Sequence, residues 1–98
     1  MLVSILAEDI REARERSDKC QIGREHLWWH PLAISLERQL GEGFFAVVTD
    51  SFVYLVSDPV KTNTTLVVQQ PVDGPVRDFQ NLWKADRAVP TVLNINIT

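Results

Sequence analysis

HPLAISLERQLGEGFFAVVTDSFVYLVS, running from His30 to Ser57, reads as a short helix, a glycine stop and two apolar strands joined by a two-residue turn. Pro31 stands at the first helical position, where a missing N–H is no loss. Leu32, Leu36 and Leu40 recur every fourth residue with Ala33 beside them, so they share one face. Gly41 supplies the left-handed residue that closes helices. Beyond Gly43, Phe44–Thr49 and Phe52–Ser57 are rich in aromatic and β-branched residues, with Asp50-Ser51 as the turn between them. A helix folded back on its own hairpin makes a local core. This describes architecture; it does not yet name any chemistry.

Working outward from this unit, Leu2–Leu6 fits a short strand or the first turn of a helix, because Leu2, Leu6, Ile10 and Ala13 also form a helical stripe. Ala7–Arg16 is helical on either reading, with Glu8 and Asp9 favouring its N-terminus and Arg14 and Arg16 its C-terminus. Ser17–Trp29 is the least regular part of the chain, broken by Gly23 and polar until Leu27-Trp28-Trp29. On the other side, Asp58-Pro59 ends the hairpin, and Thr64–Gln70 reads as a third strand. Pro71–Pro75 is a connection. Val76–Asp86 is a second amphipathic helix, with Val76, Phe79, Leu82, Trp83 and Asp86 on or near one face; Asp73 or Gly74 is its N-cap and Pro75 its first residue. Thr91–Thr98 alternates, with Leu93, Ile95 and Ile97 on one side and Asn94 and Asn96 on the other, as a half-buried strand does. The prediction is an α+β fold in a single domain, residues 1–98, in the order (β)αα-βββ-α-β. Its mainly antiparallel sheet of about four strands has helices packed on one face.

Composition bounds the function. The chain has 98 residues, of which 45% are hydrophobic and 23% charged, an ordinary globular balance that argues against disorder. Its formal charge is −3. Arg11, Arg14, Arg16, Lys19 and Arg24 are interleaved with Glu8, Asp9, Glu12, Glu15, Asp18 and Glu25, which would repel the phosphates those bases attract. Nucleic acid is therefore not the expected partner. The single cysteine, Cys20, cannot form an internal disulfide, which points to a reducing compartment. No secretory signal and no membrane-length apolar run is visible, so the expectation is a cytoplasmic protein without membrane attachment.

The early Glu8-Asp9-Ile10, Cys20, Pro31-Leu32-Ala33-Ile34-Ser35-Leu36 and Leu40-Gly41 together resemble small uncharacterised bacterial and phage proteins. In those, a Cys-Pro-Ile-Ala-Leu-Ala-Leu helix precedes a β-hairpin. The end of the chain is similar too, in Phe79-Gln80-Asn81-Leu82-Trp83, Asp86, Pro90 and a closing strand. His30 stands where those sequences place cysteine, and Cys20 lies ten residues upstream. The resemblance implies a mobile-element or accessory origin and no known activity.

Cys20, His26 and His30 form the one cluster of soft ligands, and two histidines four residues apart on a helix would face one side. The spacing from Cys20 to His26 is not that of the familiar structural zinc sites. On the bland reading His30 caps the helix after it, His26 is a surface residue and Cys20 a small buried hydrophobe. Gly41-Glu42-Gly43 lacks the Lys-Ser/Thr of a phosphate loop and follows a helix instead of opening one. No catalytic motif accompanies Cys20 or any carboxylate pair, so no enzyme, catalytic residue or cofactor is predicted. Trp28, Trp29 and Trp83 exceed what one small core commonly needs, and tryptophan is enriched at interface hot spots. With His30 they are the candidate contact residues. The functional expectation is a non-catalytic interaction module of mobile-element type that occludes an unknown protein partner. The alternative is a small-ligand or metal-binding regulator using the Cys20–His30 segment. Self-association as a homodimer is expected through Trp28-Trp29 and through Thr91–Thr98 as an edge strand.

Overall fold

The computed structural model describes residues 1–20, 30–41, 43–57, 65–72 and 74–96. Among the described residues, five strands and three helices follow one another as β1 (Leu2–Ile5), α1 (Ala7–Cys20), α2 (Pro31–Leu40), β2 (Phe44–Val48), β3 (Phe52–Ser57), β4 (Thr65–Pro71), α3 (Gly74–Lys84) and β5 (Thr91–Asn94). The class is α+β, and every strand pairing is antiparallel. The strands form two sheets where the sequence suggests one: β1 with β5, and β2-β3-β4 in that order. The reason lies in β1. Leu2–Ile5 is a strand, burying Val3 and Ile5 on one side and leaving Leu2 and Ser4 on the other, and it recruits the last strand as its partner.

α2 is the predicted helix to the residue. Its buried run from Pro31 to Leu36 rests on the core, and Gly41 ends it with φ +85 and its N–H bonded to Glu37 O at 2.9 Å. The hairpin keeps the predicted two-residue turn, with Val48 opposite Val53 and Thr49 N–H donating to Phe52 O at 2.8 Å. Neither Asp50 nor Ser51 has the positive φ of the favoured hairpin turns. The Thr49 hydroxyl compensates by accepting from Ser51 and Phe52 N–H, at 3.1 and 2.8 Å.

α3 begins at Gly74 and stops at Lys84, two residues before the predicted end. Asp86 takes φ +58, its N–H donating to Trp83 O and that of Arg87 to Leu82 O. This is the double bond pattern that closes helices through a left-handed residue. Asp86 therefore terminates the helix instead of extending its apolar face. Leu82, predicted on that face, is exposed, and Gln80 is buried in its stead.

One hydrophobic cluster runs through the molecule: Val3 and Ile5 of β1, Ile10 and Ala13 of α1, Leu32, Ala33 and Leu36 of α2, Ala46, Val48, Val53 and Leu55 of the hairpin, Phe79 and Trp83 of α3, and Leu93 with Ile95 at the end. No described helix is long and apolar enough to cross a membrane.

Candidate interaction surface

The hairpin strands are apolar on both sides. Ala46, Val48, Val53 and Leu55 point into the core. On the opposite face Phe45 stands across from Val56 and Val47 across from Tyr54, with Phe52 next along β3. Phe45 is 47% exposed, and Val47, Phe52, Tyr54 and Val56 are each half-buried without belonging to the core cluster. The Phe52 and Tyr54 rings lie 5.7 Å apart and tilted by 40°. This outer face of β2 and β3 carries no charged side chain. Contiguous apolar side chains that remain partly accessible mark protein contact sites more often than isolated exposed residues do.

One edge of each sheet, that of β2 and that of β1, is met by three consecutive residues near the end of α2. Glu37 Oε1 accepts from Ala46 N–H at 3.2 Å, on the side of β2 away from β3. Burial raises the Glu37 carboxyl above its ordinary range, opposed by that hydrogen bond and by Arg16. Gln39 Oε1 accepts from Ser4 N–H at 2.7 Å, while its Nε2 donates to Leu2 O at 3.3 Å. Arg38 Nη2 donates to Ser4 O at 2.8 Å.

Arg38 is itself held by Asp9. Its Nε reaches Asp9 Oδ1 at 3.2 Å and its Nη2 reaches Oδ2 at 3.1 Å. Asp9 Oδ2 also accepts from Leu6 N–H and Ser35 Oγ, both at 2.9 Å. Desolvation would raise the Asp9 carboxyl, but the hydrogen bonds from Arg38, Leu6 and Ser35 and the Arg38 charge outweigh it, and the pKa falls below its ordinary value. Asp9 Oδ2 thus accepts three hydrogen bonds and Oδ1 one. The cluster fastens α1, α2 and β1 together.

His30 and Trp83, two of the four contact candidates, are buried. That corrects their expected place at a surface. His30 caps α2, with Nδ1 accepting from Leu32 N–H at 3.1 Å, in line with the bland reading. Its ring stands edge-on to Phe79 and Trp83, with centroids 5.8 and 5.9 Å away. With Nδ1 an acceptor, Nε2 bears the proton of the neutral ring, and it has no hydrogen-bond partner among the described residues. Desolvation, aided by the charge of Lys84, lowers the His30 pKa to about 3. The other candidates, Trp28, Trp29 and His26, lie outside the described residues, and Cys20 is placed only as the last residue of α1. Of the soft-ligand trio only His30 has a described side chain, and its Nδ1 is engaged. Among the described residues no group of three His, Cys, Asp or Glu side chains is arranged to hold a metal ion.

No protein-family model matches the chain, no curated protein does, and no solved structure does.

Proposed function

We propose that this protein is a non-catalytic interaction module, a cytoplasmic accessory or inhibitory protein of mobile-element type that occludes an apolar surface on a partner protein. The observation that carries the reading is the uncharged outer face of β2 and β3, where Phe45, Val47, Phe52, Tyr54 and Val56 stand together. Burying a side chain such as Phe45 or Val56 against a partner contributes about 1.5–3 kcal/mol each. A rigid pleated face loses little conformational entropy on docking, so more of that gain survives as affinity. The ionic cluster at Asp9 is compatible with the same reading, since its hydrogen bonds join α1, α2 and β1.

The test compares the parent with Phe45→Glu and Val56→Glu in capture from the native host, read by mass spectrometry. Both side chains project away from the core, so melting temperatures should remain close to the parent's. A partner retained stoichiometrically by the parent and lost with both variants supports the proposal. Equal retention by all three, or no partner at all, overturns it.

A further inference from the structure

Among the described residues, the backbone pattern of the smaller sheet leaves the β5 edge unmatched. Met1 and Ile95 exchange both hydrogen bonds, Ile95 N–H to Met1 O at 2.9 Å and the Met1 ammonium to Ile95 O at 3.0 Å. By antiparallel alternation Val3 with Leu93 and Ile5 with Thr91 are bonded pairs too. The N–H and C=O of the residues between them therefore point outward, Leu2 and Ser4 on β1, Val92 and Asn94 on β5. On β1, Gln39 and Arg38 meet three of these groups, Ser4 N–H, Ser4 O and Leu2 O. Among the described residues, nothing meets those of Val92 and Asn94.

We propose that β5 pairs antiparallel with β5 of a second copy of this chain, forming a four-stranded sheet β1-β5-β5-β1 across a two-fold axis at Leu93. This goes beyond the proposed partner face on β2 and β3 and is independent of it. Three observations select a second copy as the occupant. First, the edge is self-complementary: Val92 of each chain lies opposite Asn94 of the other, and the two pairs exchange four backbone bonds. Second, the register is bounded on both sides. Pro90 has no donor, and Asn96 N–H already bonds Gln70 Oε1 at 2.6 Å. Third, the charges permit it. Residues 88–98 carry none, although the chain as a whole is at −3, so the paired strands bring no like charges together. Edges that must stay single are usually guarded by a charge, a bulge or a cover. β5 has instead Val92, 58% exposed, beside Leu2, 66% exposed, on the outer face of the same sheet.

The test is sedimentation of the full chain over a concentration series, with amide exchange at the highest and lowest concentrations. Val92→Pro removes an outward N–H that no bond among the described residues uses, and an edge strand tolerates proline there. The parent should form a dimer with rising concentration, and Val92→Pro should weaken it about tenfold or more, with circular dichroism unchanged. In the parent, protection of the Val92 and Asn94 amides should rise with the dimer fraction. That second measurement decides the matter if Val92→Pro fails to fold. A monomer throughout the series overturns the proposal, as does a dimer in which both amides exchange freely. A monomer with both amides protected at every dilution also overturns it, by placing a segment of the same chain on the edge.

Discussion

Along β1 the outward Ser4 N–H, Ser4 O and Leu2 O are met by Gln39 and Arg38, whereas along β5 the outward groups of Val92 and Asn94 meet no described side chain. Both edges belong to one two-stranded sheet, and both carry exposed apolar residues on its outer side. The difference comes from a single helix. α2 lies against β1 with its last turn, and Asp9 holds Arg38 in place from below. Among the described residues, no helix end of that kind serves β5. An edge sealed from within acts as structure, and an edge left open is available for association.

The sealed side stands or falls with α2, so the largest effect should come from its core anchor. Leu36 is fully buried, and Leu36→Ala should destabilise by about 2–5 kcal/mol. Thermal melting measures this. A variant that melts like the parent would mean that α2 does not anchor the fold, and the comparison of edges would lose its cause.

Acid should act on the same helix through His30. The folded-state pKa of about 3 lies below the ordinary 6.5. The unfolded chain therefore binds the proton first as pH falls. The stability due to neutral His30 is complete above pH 6.5 and declines between there and about pH 3, by up to about 1.4 kcal/mol per pH unit. Asp9, with its lowered pKa, adds a loss only below its ordinary value of 3.8. Denaturant titrations between pH 7 and 4 should show this slope. In His30→Asn, which keeps a capping acceptor but does not titrate, the slope should flatten whatever the starting stability.

Much of this arrangement is legible in the amino-acid sequence. The repeat of Leu32, Leu36 and Leu40, the stop at Gly41 and the Asp50-Ser51 turn are local signals, and such signals are enough to place α2 and the hairpin. Leu2–Leu6 is ambiguous because a short apolar run fits either period; what resolves it is pairing with β5, roughly ninety residues away. The division into two sheets is non-local for the same reason. Asp86 reads as a helix-face residue because periodicity does not register a left-handed φ. The outer hairpin face does leave a sign. Phe44-Phe45-Ala46-Val47-Val48 fails to alternate, and an antiparallel strand with a wet face should alternate. The Asp9–Arg38 bond leaves none, since nothing in a charge run marks which carboxylate is buried.

Asp9→Ala should remove the lock on Arg38 and leave Leu6 N–H without its acceptor, while the Ser35 hydroxyl keeps Pro31 O at 2.7 Å. Arg38 is partly exposed and can turn to water, so the loss should be about 1–3 kcal/mol, short of a fully buried pair broken. The measurement is chemical denaturation at pH 7. A loss below about 0.5 kcal/mol would be that of an ordinary surface change and would demote the cluster to a bystander of the β1 edge.

Gln39→Ala carries the smallest effect and bears most directly on the comparison. It deletes the acceptor for Ser4 N–H and the donor for Leu2 O, leaving the Arg38 bond to Ser4 O in place. Both freed groups lie near solvent, so water replaces the lost partners and the destabilisation should be about 0.5–1.5 kcal/mol. The informative signal is local. The Ser4 amide, protected in the parent, should exchange rapidly in the variant, while the Val3 and Ile5 amides, bonded to β5, should keep their protection. With that change β1 presents an open edge as β5 does, although Arg38 still leaves it a charged guard. If exposed backbone alone were enough for association, the variant would form assemblies larger than the dimer at high concentration. If the guard matters, its mass should equal the parent's, and only Gln39→Ala combined with Arg38→Ala should assemble further. Protection of the Ser4 amide that is indifferent to Gln39 would show that the seal lies elsewhere, and the contrast between the two edges would then need another explanation.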